Sequence, residues 1–147
     1  VAMGREGYLQ KAQAIFETAF AMQDAVKEYA SLQLMGKGSF CFSFRSDDFD
    51  IYHLNDFMKD RGWRFNGQQN PAAIHMCVTG PQTGQGVVEA FARDLDGAVE
   101  YALQQKDKIP KSSGIYGAGS MGVPLEEPDA VANFLTLGMD FLQENPF

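Results

Sequence analysis

The stretch FCFSFRSDDFDIYHLNDFMKDRGW, residues 40–63, decides the architecture. From Phe40 to Arg45 apolar and polar side chains alternate with a period of two, the pattern of a strand with one face in a core. Asp47, Asp48 and Asp50 then supply an N-cap, Ile51, Leu54, Phe57 and Met58 an apolar helical face, and Gly62 a C-terminal stop. A strand followed at once by a short capped helix makes a layered mixture of helix and sheet the expected fold.

The flanks extend this pattern. Tyr8, Leu9, Ala12, Ile15, Phe16, Ala19, Phe20, Val26 and Tyr29 recur at three and four residues, which predicts a long amphipathic helix within residues 1–30. Leu32 and Leu34 read as a strand that forms a hairpin with Phe40–Arg45 across Gly36-Lys37-Gly38. After the first helix-and-turn unit, Trp63 and Phe65 alternate with Arg64 and Asn66 as a third strand. A turn over Gly67–Pro71 leads to a fourth strand through Ile74, Met76 and Val78. Val88, Phe91, Leu95, Ala98, Val99 and Ala102 mark a second long helix. Residues 106–124, rich in glycine with two prolines and three lysines, form a loop of a length usually reserved for function. Pro128, Val131, Phe134, Leu135, Phe141 and Leu142 predict a closing helix within 125–147. The expected fold is α/β in the α+β, two-layer sense: a small antiparallel sheet of about four strands with helices on one face.

Period two also sorts the strand residues into faces. Leu32, Leu34, Phe40, Phe42, Phe44, Trp63, Phe65, Ile74, Met76 and Val78 face the core. Gln33, Cys41, Ser43, Arg45, Arg64, Asn66, His75, Cys77 and Thr79 form a mixed polar face, either a wet side or a surface that docks on another domain or subunit.

At 147 residues, with 45% hydrophobic and 21% charged side chains, the chain has the composition of one globular domain rather than a disordered or fibrous segment. Its formal charge is −7, with four Lys/Arg against ten Asp/Glu in residues 74–147. Only Lys106, Lys108 and Lys111 cluster, so neither nucleic acid nor an anionic membrane surface is an expected partner. No run of apolar residues is long enough for a membrane span. Cys41 and Cys77 show no metal-site spacing and are expected as reduced thiols, which points to a cytosolic, cytoplasmic compartment. The start at Val1, close to the first helix, suggests a processed product or a piece of a larger polypeptide whose preceding domain the helix links.

No complete active site emerges from motifs. Gly117-Ala118-Gly119-Ser120-Met121-Gly122 fits a dinucleotide-binding fingerprint by letter but lacks the flanking strand and helix. Asp47, Asp48 and Asp50 lack the glycine and terminal glutamate of a calcium loop. His53 is expected at the solvated surface and His75 as a hydrogen-bonded structural residue. Tyr116, a lone aromatic side chain in the glycine-rich loop, either tucks that loop onto the domain or presents its hydroxyl to a ligand.

Five short motifs together carry a resemblance: Asp50-Ile51-Tyr52-His53-Leu54, Gly62-Trp63, Gln69-Asn70-Pro71, Ile74-His75 with Val78-Thr79, and Ile115-Tyr116-Gly117. Their joint spacing resembles the C-terminal small domain of sphingosine-1-phosphate lyases, in the group II decarboxylase-like branch of fold-type I pyridoxal-phosphate enzymes. The similarity runs from the first helix to about Gly117; Gly114 stands where relatives often carry Ala. The resemblance implies a helix-covered antiparallel sheet, a homodimer and pyridoxal 5'-phosphate held mainly by a large domain. It implies carbon–carbon cleavage of a phosphorylated sphingoid base to a fatty aldehyde and phosphoethanolamine. The Schiff-base lysine of the family lies in that large domain, and Lys11, Lys27, Lys37 and Lys59 sit in contexts unlike it. Tyr116 matches the tyrosine expected to enter the active site near the phosphate and amine end of the substrate. Amino-acid decarboxylation by a related enzyme, or a stand-alone ligand-binding or regulatory module, are the alternative functions.

Overall fold

A computed structural model describes residues 3–113, together with the single positions 136, 140 and 144. The chain divides into two units, Val1–Ser112 and Ser113–Phe147. The expected closing helix falls outside the described residues except at Thr136, Asp140 and Glu144, which are helical.

In the first unit the order is α1 (Gly4–Lys27), β1 (Gln33–Leu34), β2 (Cys41–Arg45), α2 (Ile51–Lys59), β3 (Asn66–Gln68), β4 (Ala73–Cys77) and α3 (Val87–Gln104). Short 3₁₀ turns occupy Gly80–Thr83 and Lys111–Ser113. The four strands form one antiparallel sheet in the order β1-β2-β4-β3. Leu34 pairs with Phe44, so the first hairpin forms as the alternation predicts. The expected two-layer α+β fold is the one observed.

The core follows from that register. Phe42 and Phe44 of β2 and Ile74 and Met76 of β4 are buried together against Met22 and Val26 of α1, Leu54 and Met58 of α2, and Phe91, Leu95 and Ala98 of α3. Burying each large side chain contributes roughly 1.5–3 kcal/mol. α2 starts where the sequence says it should: the Asp50 carboxylate accepts a hydrogen bond from Tyr52 N at 3.0 Å. α3 lies close to α2 because Gly97 has no side chain; a Cβ there would come within 2.9 Å of the Phe57 ring.

Three expectations are corrected. Phe40 is not in the core: it precedes β2, is 44% exposed, and packs edge-on against Phe16 of α1 with ring centroids 5.8 Å apart. The third strand lies at Asn66–Gln68, sharing only Asn66 with the expected strand and running into the expected turn, because its ladder is set by pairing with Ala73–His75. Trp63 and Phe65 nonetheless pack on the core from the segment before it. Along α1 the apolar stripe is buried only in the C-terminal half, at Ala19, Met22 and Val26, whereas Tyr8, Leu9, Phe16 and Phe20 are exposed.

The end of α1 is tied to α3 through Tyr29, whose hydroxyl donates to Asp96 Oδ1 at 3.1 Å. Burial first, then the Asp96 hydrogen bond and charge, push the phenol from its ordinary 10.0 up to about 12. A group whose folded-state value is raised stabilises fully below its unfolded value and loses that contribution as pH climbs through the folded one. The stability difference between the wild-type chain and Tyr29→Phe should therefore be constant below pH 10 and shrink between pH 10 and about 12. Urea midpoints measured across that range check it.

Candidate functional site

α2 presents three consecutive uses of the Asp-Ile-Tyr-His stretch. Asp50 caps the helix, Ile51 enters the core, and the Tyr52 hydroxyl donates to Gln68 O at 2.6 Å, fixing β3. Burial, and behind it the Asp50 charge, raises the Tyr52 phenol above its ordinary value. His53, expected at the solvated surface, is instead only 3% exposed. It lies under the segment after α3, with its Nε2 2.9 Å from Lys108 O, and since a carbonyl only accepts, Nε2 carries the proton. The correction has a plain cause: a chain segment 55 residues downstream folds back over this helix, which local periodicity cannot reveal.

One turn further along α2, Asp56 completes the attachment. Its carboxylate accepts from Lys111 N at 2.6 Å and Ser112 N at 2.9 Å, capping the 3₁₀ turn Lys111–Ser113. Ser112 Oγ donates to Tyr52 O at 3.1 Å. Charge-assisted bonds to two backbone amides are among the stronger hydrogen bonds a carboxylate can make. His53, Asp56 and the Tyr52 carbonyl thus hold residues 108–112, which precede the glycine-rich stretch in sequence, to the helix–sheet layer. Asp56 belongs to no motif in the sequence; its position one helical turn after Tyr52 and His53 is the available signal. Tyr116 itself, like the Gly117–Gly122 run, lies outside the described residues.

The second concentration of chemistry is the polar sheet face. Cys41 pairs with Cys77 and Ser43 with His75 across β2 and β4, so Cys41, Ser43, His75 and Cys77 share one face. Val78 N donates to Phe40 O at 2.8 Å, which puts the next pair, Cys41 and Cys77, at a non-hydrogen-bonded position where side chains approach most closely. Their sulfurs are 3.0 Å apart, and both are free thiols. The Cys77 hydrogen bond, with burial behind it, pushes the Cys41 thiol up to about 11. His75 has Nε2 3.5 Å from Asn66 Nδ2, while its Nδ1 is buried without a hydrogen-bond partner. His75 is therefore less fully satisfied than a structural histidine is expected to be.

Pyridoxal phosphate needs a sheltered lysine, because burial keeps an amine neutral and nucleophilic. Every described lysine is exposed, including Lys11, Lys27, Lys37 and Lys59. The described residues do not form a holder for that cofactor by themselves. No helix among them is long and apolar enough to cross a membrane.

Comparisons with known proteins agree with the sequence resemblance. No protein-family model matches the chain. It is 36% identical over 120 residues to a sphingosine-1-phosphate lyase of Arabidopsis thaliana, a match spanning 80% of this chain and 22% of the relative. It is 30% identical over 116 residues to sphingosine-1-phosphate lyase 1 of Rattus norvegicus, spanning 78% of this chain and 20% of the relative. Among solved structures, a sphingosine-1-phosphate lyase of Burkholderia pseudomallei is 64% identical with a TM-score of 0.68, covering 69% of this chain and 23% of that one. The chain spans about a fifth of the length of the curated relatives it matches.

Removing the Asp56 carboxylate frees the two amides it caps. Asp56→Ala should raise hydrogen exchange at Lys111 and Ser112 by at least tenfold while lowering global stability by only about 1–2 kcal/mol, the usual range for a lost cap. Exchange measured residue by residue, together with a urea titration, checks both parts.

Proposed function

We propose that this sphingosine-1-phosphate lyase-like chain is the C-terminal small domain of a pyridoxal-phosphate-dependent carbon–carbon lyase. The full-length enzyme cleaves a phosphorylated sphingoid base to a fatty aldehyde and phosphoethanolamine. The 64% identity to a solved sphingosine-1-phosphate lyase over 69% of the chain carries this reading. Pyridoxal phosphate, when bound, supplies the electron sink for the cleavage. The Schiff-base lysine belongs to the large domain, consistent with the exposure of every described lysine here.

In this reading the chain contributes positioning. His53 and Asp56 fix residues 108–112, and Tyr116 follows four residues later. Orientation of a reacting group supplies much of its catalytic effect. The Tyr116 hydroxyl donates a hydrogen bond toward the phosphate and amine end of the substrate. The exposed Tyr8, Leu9, Phe16 and Phe20 of α1 supply apolar surface for the large domain, with α1 as the linking helix. A homodimer with its sites at the subunit interface and a cytoplasmic location complete the proposal; the free thiol pair fits a reducing compartment.

Tyr116→Phe in the full-length enzyme should reduce kcat/KM for a phosphorylated sphingoid base on the order of 100-fold, the usual cost of losing one well-placed donor. Steady-state turnover of that substrate, with amino acids assayed in parallel for decarboxylation, provides the measurement. Unchanged rates would remove Tyr116 from the site, and decarboxylation without cleavage would replace the proposed reaction. The isolated 147-residue chain should take up no pyridoxal phosphate covalently, as read by mass after borohydride treatment.

A further inference from the structure

We propose that Cys41, His75 and Cys77 form a binding site for a borderline-soft divalent cation of the zinc type, on the polar face of the sheet. One ligand atom from each, two sulfurs and a ring nitrogen, lie within 4.8 Å of one another. None of the three residues is given a role in the proposed lyase reaction.

The ligand set comes from two strands rather than from a loop. His75 and Cys77 are two apart on β4 and so project from the same face, and the β2–β4 register sets Cys41 directly opposite Cys77. A tetrahedral ion with metal–sulfur bonds of ~2.3 Å places two thiolates about 3.7 Å apart. The observed 3.0 Å therefore needs only a small opening of the two side chains, and Cys77 is exposed and free to supply it. Two sulfurs and an imidazole are the donors such ions prefer over magnesium or calcium. Three protein ligands leave a fourth position for water on the exposed side.

His75 is arranged as a ligand in a further respect. Its Nδ1 is buried with no hydrogen-bond partner, a group that otherwise costs free energy, and it is the nitrogen left for an ion. Its other nitrogen, Nε2, faces the Asn66 carboxamide at 3.5 Å. With that amide turned to present its oxygen, Nε2–H donates to Asn66 and the Nδ1 lone pair is directed at the metal, the usual orientation of a ligating histidine by a neighbouring acceptor. Metal binding releases both thiol protons to solvent and forms two metal–sulfur bonds and one metal–nitrogen bond, with no change of oxidation state.

The test uses the whole 147-residue chain, reduced with a phosphine and stripped of metal, titrated first with Co²⁺ and then with Zn²⁺. The expected result is thiolate-to-cobalt charge-transfer absorption that saturates at one equivalent and is abolished by one equivalent of Zn²⁺. Cys41→Ser and Cys77→Ser should each lose that absorption, and Asn66→Ala should weaken Co²⁺ binding roughly tenfold. Far-UV circular dichroism verifies that each variant is folded. Where a cysteine variant does not fold, alkylation of the native chain substitutes: Zn²⁺ should slow modification of both thiols at least tenfold. The proposal is overturned by absence of the charge-transfer band, by a band that survives either cysteine substitution, or by equal alkylation with and without Zn²⁺. A chain that isolates as a Cys41–Cys77 disulfide and takes up no Co²⁺ after reduction overturns it equally.

Discussion

The hydrogen bonds from Lys111 N and Ser112 N to the Asp56 carboxylate are the constraint on which the functional reading depends. They close a circuit of 55 residues, from α2 through two strands and α3 and back to α2. Without it, the segment after α3 would leave the domain wherever the end of the helix pointed. With it, and with His53 bonded to Lys108 O, residues 108–112 are held at a defined place beside α2. A loop-borne side chain acquires catalytic value only if its base is fixed, because orientation rather than intrinsic reactivity supplies much of its effect.

That circuit rests in turn on the packing of α2 against α3 and the sheet. Leu54 and Met58 point one way into the shared core, while His53 and Asp56 point toward the returning chain. Gly97 lets the two helices approach, with the Phe57 ring lying where a Cβ would be. The Arg61 guanidinium sits 3.4 Å above the other participant in that contact, the Phe57 ring, and the Trp63 indole donates to Asp94 of α3 at 2.9 Å. The Gly-Trp pair that helped identify the family therefore joins the end of α2 to α3.

Local signals made the layers legible. Alternation at Phe42 and Phe44, the Asp50 cap and the spacing of Phe91, Leu95, Ala98 and Ala102 each depend on neighbours within one or two turns, so sequence alone carries them. Phe40 and His53 depart from their expected places for the same reason in reverse. Phe40 lies just outside its strand and meets α1, and His53 is covered by a segment far away in the chain. The polar face was readable as a set, but the closeness of Cys41, His75 and Cys77 depended on strand register, which period two does not specify. Tyr116 rests on the motif resemblance, since it lies outside the described residues.

The proposed function gives this chain one task, to hold residues 108–112 in place for an active site completed by another domain. Its most direct test is kcat/KM of the full-length enzyme carrying Asp56→Asn, with pyridoxal-phosphate content measured on the same sample. Full cofactor content with a loss of cleavage on the order of 10-fold or more is the expected result, as when a positioning contact is lost. Unaltered cleavage by a variant whose Lys111 and Ser112 amides have become free to exchange would contradict it.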